Sequence, residues 1–204
     1  MSNTERFVDT GKLLTAFADE VLVTCIGCGA PGVVRATWSP YKWNAKFECS
    51  NCNLVLSSEA GHWVGAVRAA GRQPCGYCGH KWLTPTVAYE ALPPEPPTQL
   101  AAECPECGRQ TFVTATLTRA LPEDRSCDPH FGLSLRLATS TRHGTVWAYN
   151  LRHLNELSGY VTAKLRVRQN SGNRAMFSRL PKWMKLAKHR DEIAKALCKL
   201  NAMA

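Results

Sequence analysis

The sequence predicts a small, metal-bound β N-terminal half followed by an α+β C-terminal domain. Three features of its 204 residues point there. Eight of the ten cysteines fall as four Cys-x-x-Cys pairs: Cys25/Cys28, Cys49/Cys52, Cys75/Cys78 and Cys104/Cys107. Short runs rich in β-branched and aromatic residues flank the pairs, which is strand sequence. Beyond residue 126 the pattern changes to one alternating stretch, a turn and two amphipathic stretches.

Residues 1–20 are read as an N-terminal helical element, because Leu13, Leu14 and Phe17 have helical spacing within Thr10–Glu20. The first β unit covers 21–60. Val21-Leu-Val-Thr leads into Cys25-Ile-Gly-Cys28-Gly29. Val33–Trp38, a Ser-Pro turn and Trp43–Glu48 follow, then Cys49-Ser-Asn-Cys52 and Leu54-Val-Leu56. Each Cys-x-x-Cys is a tight turn whose backbone amides point at the sulfurs, and Gly29 supplies permissive backbone just after it. The second unit covers 73–119, with turns at Cys75-Gly-Tyr-Cys78-Gly79 and Cys104-Pro-Glu-Cys107-Gly108. Lys81-Trp-Leu-Thr and Thr111–Leu117 read as strands. Ala91-Leu-Pro-Pro-Glu-Pro-Pro-Thr98 between them cannot be central strand; it is a stiff loop or a domain boundary. Sequential pairing of the cysteine turns gives gaps of 20 and 25 residues. Pairing Cys49/Cys52 with Cys75/Cys78, a gap of 22, is the competing arrangement.

Paired Cys-x-x-Cys in a reducing compartment reads as metal binding before disulfide. Four thiolates per site suit tetrahedral Zn²⁺, so two structural zinc ions are expected, with rubredoxin-type iron as the alternative. Four thiolates leave no open coordination position, so the sites are structural rather than catalytic. Units of this size bury too little apolar surface to fold without the metal. No apolar run is long enough for a membrane span, and Asp9, Asp19 and Glu20 interrupt any secretion signal. A cytoplasmic protein is expected, with no membrane partner.

The C-terminal domain, 126–204, is read as a β-hairpin followed by two helices. Phe131, Leu133, Leu135 and Leu137 alternate as a half-buried strand; Arg142-His-Gly144 is the turn and Val146–Tyr149 the return strand. Asn150 caps a helix expected to run to about Arg168 and to end at Ser171-Gly-Asn173. Pro181 opens a last helix to about Leu200. Its apolar face holds Trp183, Leu186, Ile193, Leu197 and Leu200, with Cys198 expected as a buried thiol at the edge.

Charge is unevenly placed. Residues 1–60 carry five basic and six acidic side chains, residues 61–120 five and four, and residues 121–204 fifteen and six. The net charge of +9 therefore belongs to the C-terminal part, the electrostatic footprint of a polyanion partner. The candidate nucleic-acid contacts there are Arg174, Arg179, Lys182, Lys185, Lys188, Lys195 and Lys199. A second candidate surface is Trp38-Ser-Pro-Tyr-Lys-Trp-Asn-Ala-Lys-Phe47. Trp38 and Trp43 would stack on unpaired bases while Lys42 and Lys46 meet phosphates; the competing role for Trp38, Trp43 and Phe47 is the unit's own core. His153, Glu156, Tyr160 and Lys164 share one helix flank, and Cys127 with His130 offers two further ligands. No phosphate-binding glycine loop, nucleophile elbow or two-metal carboxylate cluster is present in the sequence.

The four Cys-x-x-Cys pairs, with Gly29, Gly79 and Gly108 behind them, resemble the zinc-ribbon superfamily of transcription factors and RNA polymerases. The resemblance implies two tandem zinc ribbons, at 21–60 and 73–119, and carries no particular activity, because ribbons bind DNA, RNA and protein alike. Trp147-Ala-Tyr-Asn-Leu-Arg-His-Leu-Asn-Glu-Leu, Ser178-Arg-Leu-Pro-Lys-Trp-Met and Arg190-Asp-Glu-Ile are similar to uncharacterised bacterial zinc-ribbon proteins. The function expected is non-catalytic nucleic-acid binding, to DNA or RNA, through the basic C-terminal helix. The alternatives are an adaptor whose ribbons dock on a larger protein partner, and a nuclease-like site in the C-terminal domain.

Overall fold

The computed structural model describes residues 6–169 and 174–204. The chain is mostly β with a helical C-terminal region, and it forms two compact units, Met1–His62 with Ser126–Ala204 and Trp63–Arg125.

In the first unit, β1 (Arg6–Asp9) precedes one turn of 3-10 helix at Leu14–Phe17. Strands β2 (Glu20–Thr24), β3 (Pro31–Ser39), β4 (Lys42–Glu48) and β5 (Val55–Ser57) form an antiparallel sheet in chain order. Alternation decides what is buried: Val21, Val23, Val34, Ala36, Ala45, Phe47 and Leu56 face inward. The helix expected over residues 10–20 is corrected to that single turn. Gly11, at φ 78°, gives its N–H to Asp9 Oδ1 at 2.9 Å and prevents an earlier start. Glu20 is drawn into β2, opposite Arg35.

The second unit is a sheet of β6 (Val67–Gly71), β7 (Thr86–Tyr89), β8 (Gln99–Glu103) and β9 (Gln110–Arg119) in the order β7-β6-β9-β8, all antiparallel. The proline-rich stretch 91–98 connects β7 to β8 as an irregular loop. Central strand β6 lies before the 73–119 span read from the sequence. Cys75, Leu83, Cys104 and Val113 pack into one buried cluster, with Ala102 against it.

The chain then returns to the first unit. Phe131, Leu133, Leu135 and Leu137 are all buried, as their alternation predicts. Their segment runs along the free edge of β2: Thr24 donates to the Ser134 carbonyl (2.9 Å), Arg136 to that of Leu22 (3.0 Å), and Leu22 to that of Tyr149 (2.7 Å). These bonds satisfy an otherwise open strand edge. They are the reason why the first sheet and the C-terminal segment, which the sequence reading places in separate domains, share one unit. The regular hairpin, β10 (Ala138–Thr141) with β11 (Gly144–Trp147), begins later than expected but turns at Arg142-His143.

Helix α1 (Leu151–Thr162) starts where the sequence puts it, with Asn150 Oδ1 accepting the His153 N–H at 2.9 Å. It ends earlier than Arg168. Ala163 is extended, and β12 (Leu165–Arg168) pairs in parallel with β1. The Arg166 guanidinium donates to the carbonyls of Tyr160 (2.9 Å) and Lys185 (3.0 Å) and lies 4.2 Å from the Tyr160 ring centroid, closing the helix end. The Ser171–Asn173 terminator lies outside the described residues. Short helix α2 (Met176–Arg179) follows. The single last helix is corrected to α3 (Lys182–Lys185), a 3-10 turn at Ala187–His189, and α4 (Arg190–Asn201). Leu186, at ψ 129°, breaks it, and Asp191 and Glu192 restart it where acidic side chains favour a helix N-terminus. Ile193, Ala196, Leu197 and Leu200 form the buried face, while Cys198 is exposed rather than buried.

His153 is buried, stacked on Phe17 at 5.0 Å, and its Nδ1 accepts the Tyr149 N–H at 3.2 Å. Burial pushes its pKa down to about 3. An unfolded histidine titrates near 6.5, so the stability tied to the neutral ring is complete above that pH and is lost as pH falls toward 3. Urea titrations are expected to show a loss of roughly 2–3 kcal/mol between pH 6.5 and 4.5. His153→Gln should flatten the curve in that window; an unchanged slope would mean that another group titrates there.

Candidate metal centres and cationic surface

The four Cys-x-x-Cys turns repeat one backbone design. The first cysteine N–H donates to the carbonyl five residues on: Cys25 to Ala30 (2.8 Å), Cys49 to Leu54 (2.9 Å), Cys75 to His80 (2.9 Å) and Cys104 to Arg109 (3.0 Å). The residue after each second cysteine closes the turn back onto the first, through Gly29, Asn53, Gly79 and Gly108. These four residues have φ of 73°, 59°, 74° and 67°. That is the left-handed region, which glycine enters freely and asparagine tolerates. In every pair the first cysteine is buried and the second exposed.

These turns bring the sulfurs together in two groups, Cys25/Cys28/Cys49/Cys52 and Cys75/Cys78/Cys104/Cys107, each with all Sγ atoms within 4.8 Å of one another. Pairing is therefore sequential, and the arrangement that joins the second and third turns is excluded. Sγ···Sγ separations are 3.6 Å for Cys25–Cys52, Cys28–Cys49 and Cys78–Cys104, and 3.9 Å for Cys75–Cys107. A tetrahedron with metal–sulfur bonds of ~2.3 Å has edges of ~3.8 Å. A disulfide would need ~2.05 Å. The donor set and its spacing fit a tetrahedral ion held by four thiolates.

The electrostatics are compatible with a bound cation. The Asn51 side chain and the Ala30 backbone stabilise the Cys28 thiolate and bring its pKa down to about 6. The Cys78 and Tyr77 amides do the same for Cys75. For Cys52 the Leu54 amide is outweighed by Cys28, desolvation and the other sulfurs, and the thiol is pushed up to about 12. For Cys78 the His80 amide is outweighed by desolvation and the sulfurs of Cys104 and Cys107, with the same result. Each added charge sits beside another, a conflict that a bound dication removes. Among the described residues these are the two groups of three or more ligands placed to hold a metal. Cys127 and His130 do not make a third: His130 Nε2 lies 2.7 Å from the Ala18 carbonyl, and Asp128 accepts the N–H groups of His130 and Phe131.

The candidate cations are distributed over several elements. Lys182 is on α3, Lys188 on the 3-10 turn, Lys195 and Lys199 one turn apart on α4, and Arg179 on α2; these and Arg174 are exposed. Lys185 is set apart: half-buried, its Nζ donates to the Ser178 carbonyl at 2.7 Å. Desolvation and then the nearby Arg168 lower its pKa. On the first sheet, Lys42 is exposed at the β3–β4 turn, and exposed Lys46 pairs with Glu48 at 3.2 Å. The aromatic run divides. Phe47 is core, Trp43 is half-buried edge-on to Trp38 and to His130, and Trp38 is 58% exposed. Tyr41 at the turn is 97% exposed with φ 69°, a residue that the sequence reading passed over although the Ser-Pro turn marked it. Of the helix-flank residues, His153 and Tyr160 are buried and Glu156 pairs with Lys12.

Comparisons with protein-family models, curated proteins and solved structures find no match for this chain. Two tetracysteine centres in a mostly β chain define its class, and no described helix is long and apolar enough to cross a membrane.

Proposed function

We propose that the chain is a non-catalytic, zinc-ribbon nucleic-acid-binding protein. Zinc is assigned because all eight donors are thiolates in tetrahedral spacing, and neither site keeps a coordination position for substrate. The two ribbons act as scaffold. The observation that carries the reading is the placement of charge: the +9 lies beyond residue 120, and Arg174, Arg179, Lys182, Lys188, Lys195 and Lys199 present it to solvent. Such a surface displaces counterions from a phosphate backbone and binds DNA or RNA with little regard to sequence. Trp38 and Tyr41, beside Lys42, add a contact for unpaired bases.

Replacing Lys182, Lys188, Lys195 and Lys199 by Glu tests this. Lys185 is retained because it holds the Ser178 carbonyl. Binding to a labelled oligonucleotide at low salt is expected to fall at least about a hundredfold, with the circular dichroism spectrum unchanged. Unchanged affinity would move the contact surface elsewhere. A wild-type chain that ignores both DNA and RNA, yet co-purifies with one stoichiometric protein, would be an adaptor.

A further inference from the structure

We infer that the outward face of the Trp63–Arg125 sheet is a stacking platform for the unpaired bases of single-stranded nucleic acid. This rests on the nucleic-acid reading above and names a second contact site for it. Along β9, Val113 is fully buried and its neighbour Phe112 is 66% exposed, so the ring leaves the sheet on the side away from the cysteine cluster. Leu83 joins that same cluster, and its neighbour Trp82 is 41% exposed. Leu83 is held in register by paired backbone hydrogen bonds to Gln73, and Gln73 Nε2 in turn donates to the Phe112 carbonyl at 2.7 Å. The two rings are thus fixed on one local framework.

Guanidinium groups accompany them. Arg72 Cζ lies 4.0 Å from the centroid of the Trp82 ring, and Arg68, opposite Thr118 in register, leaves the sheet on the Phe112 side. The remaining exposed positions on this face are small or polar: Thr86, Ala88, Ala101, Thr114, Thr116 and Thr118, with Gln99 and Gln110 toward the β8 edge. Glu103, opposite Gln110, is the carboxylate that shares it. Two large rings and two guanidinium groups on a sheet face without branched aliphatic side chains suit planar, anionic partners better than an apolar protein surface. Bases stack on aromatic rings and on arginine planes, and cations meet the phosphates between them. A duplex keeps its base faces covered, so the platform selects single strands.

The test uses the full-length, metal-loaded chain with a labelled twelve-residue oligo(dT) and a duplex of the same length, followed by anisotropy. Phe112→Ala and Trp82→Leu are each expected to weaken oligo(dT) binding about tenfold or more, and to leave duplex affinity within about twofold. Phe112 is largely solvent-exposed, so its replacement leaves the fold intact even where Trp82→Leu does not. Unchanged oligo(dT) affinity in Phe112→Ala, or equal losses on both probes, overturns the platform. If the lysine-to-glutamate variant still loses binding in that case, the broader reading stands. Failure of the wild-type chain to bind either probe removes both.

Discussion

Stripping the metal from the second tetracysteine centre, or replacing Cys104 by Ser, is expected to unfold residues 63–125 outright. The buried cluster at that centre consists of Cys75, Leu83, Cys104 and Val113, so two of its four members are themselves ligands. Apolar burial on that scale is worth only a few kcal/mol, whereas a structural zinc site contributes about 10–16 kcal/mol of apparent binding energy. Limited proteolysis after chelation should cut between Trp63 and Arg125, with loss of the part of the near-ultraviolet signal that Trp63 and Trp82 contribute. The first centre should behave differently. Its unit also buries Phe131, Leu137, Leu154, Leu157, Ile193 and Leu200, none of them a ligand. Cys49→Ser should therefore loosen β3–β5 while the helices around α1 and α4 persist. Full protease resistance of 63–125 in a chain shown to be metal-free would refute the structural role.

Asn150→Ala is expected to cost about 3–7 kcal/mol, measured by urea unfolding. This buried residue caps α1 through Oδ1 and donates from Nδ2 to the carbonyls of Phe17 (2.9 Å) and Glu20 (2.6 Å). Its loss removes a cap worth about 1 kcal/mol and leaves two acceptors without their donor, at about 1–3 kcal/mol each. The change also separates the 3-10 turn and β2 from the start of α1, so it acts on the junction between the N- and C-terminal segments of this unit. Asn150→Ser keeps a cap oxygen and should recover only the cap's share. A loss of 1 kcal/mol or less for the alanine variant would show that the two carbonyls find other donors.

The two tetracysteine clusters were legible from the sequence because Cys-x-x-Cys spacing and a following residue suited to left-handed backbone are local signals. Asn53 completes the set that Gly29, Gly79 and Gly108 begin. The Asn150 cap and the alternation of Phe131, Leu133, Leu135 and Leu137 were legible for the same reason. The misses are non-local. β6 reads Val-Arg-Ala-Ala-Gly, with almost no intrinsic strand preference, and is a strand because β7 and β9 pair with it on both sides. Leu165-Arg-Val-Arg168 continues the periodicity of α1, and only β1, far away in sequence, pulls it into a strand. The break at Leu186 follows the same logic: nothing in Lys185-Leu-Ala-Lys stops a helix, but the acidic pair Asp191-Glu192 starts a new one. As a result, the lysines expected along one helix are spread over three elements, and Lys185 is diverted to a structural contact. The exposed aromatics of the second unit were hidden because ring exposure depends on which neighbour faces the core.

Salt dependence of binding by the wild-type, metal-loaded chain tests the functional reading most directly. Anisotropy with a labelled thirty-residue single strand, repeated from about 30 to 300 mM salt, gives the slope of log affinity against log salt. Four to six phosphate contacts on a single strand predict a slope of roughly −3 to −4, little changed by the sequence of the strand. Absence of binding at the lowest salt, or an affinity that salt does not weaken, would contradict a cationic nucleic-acid-binding surface.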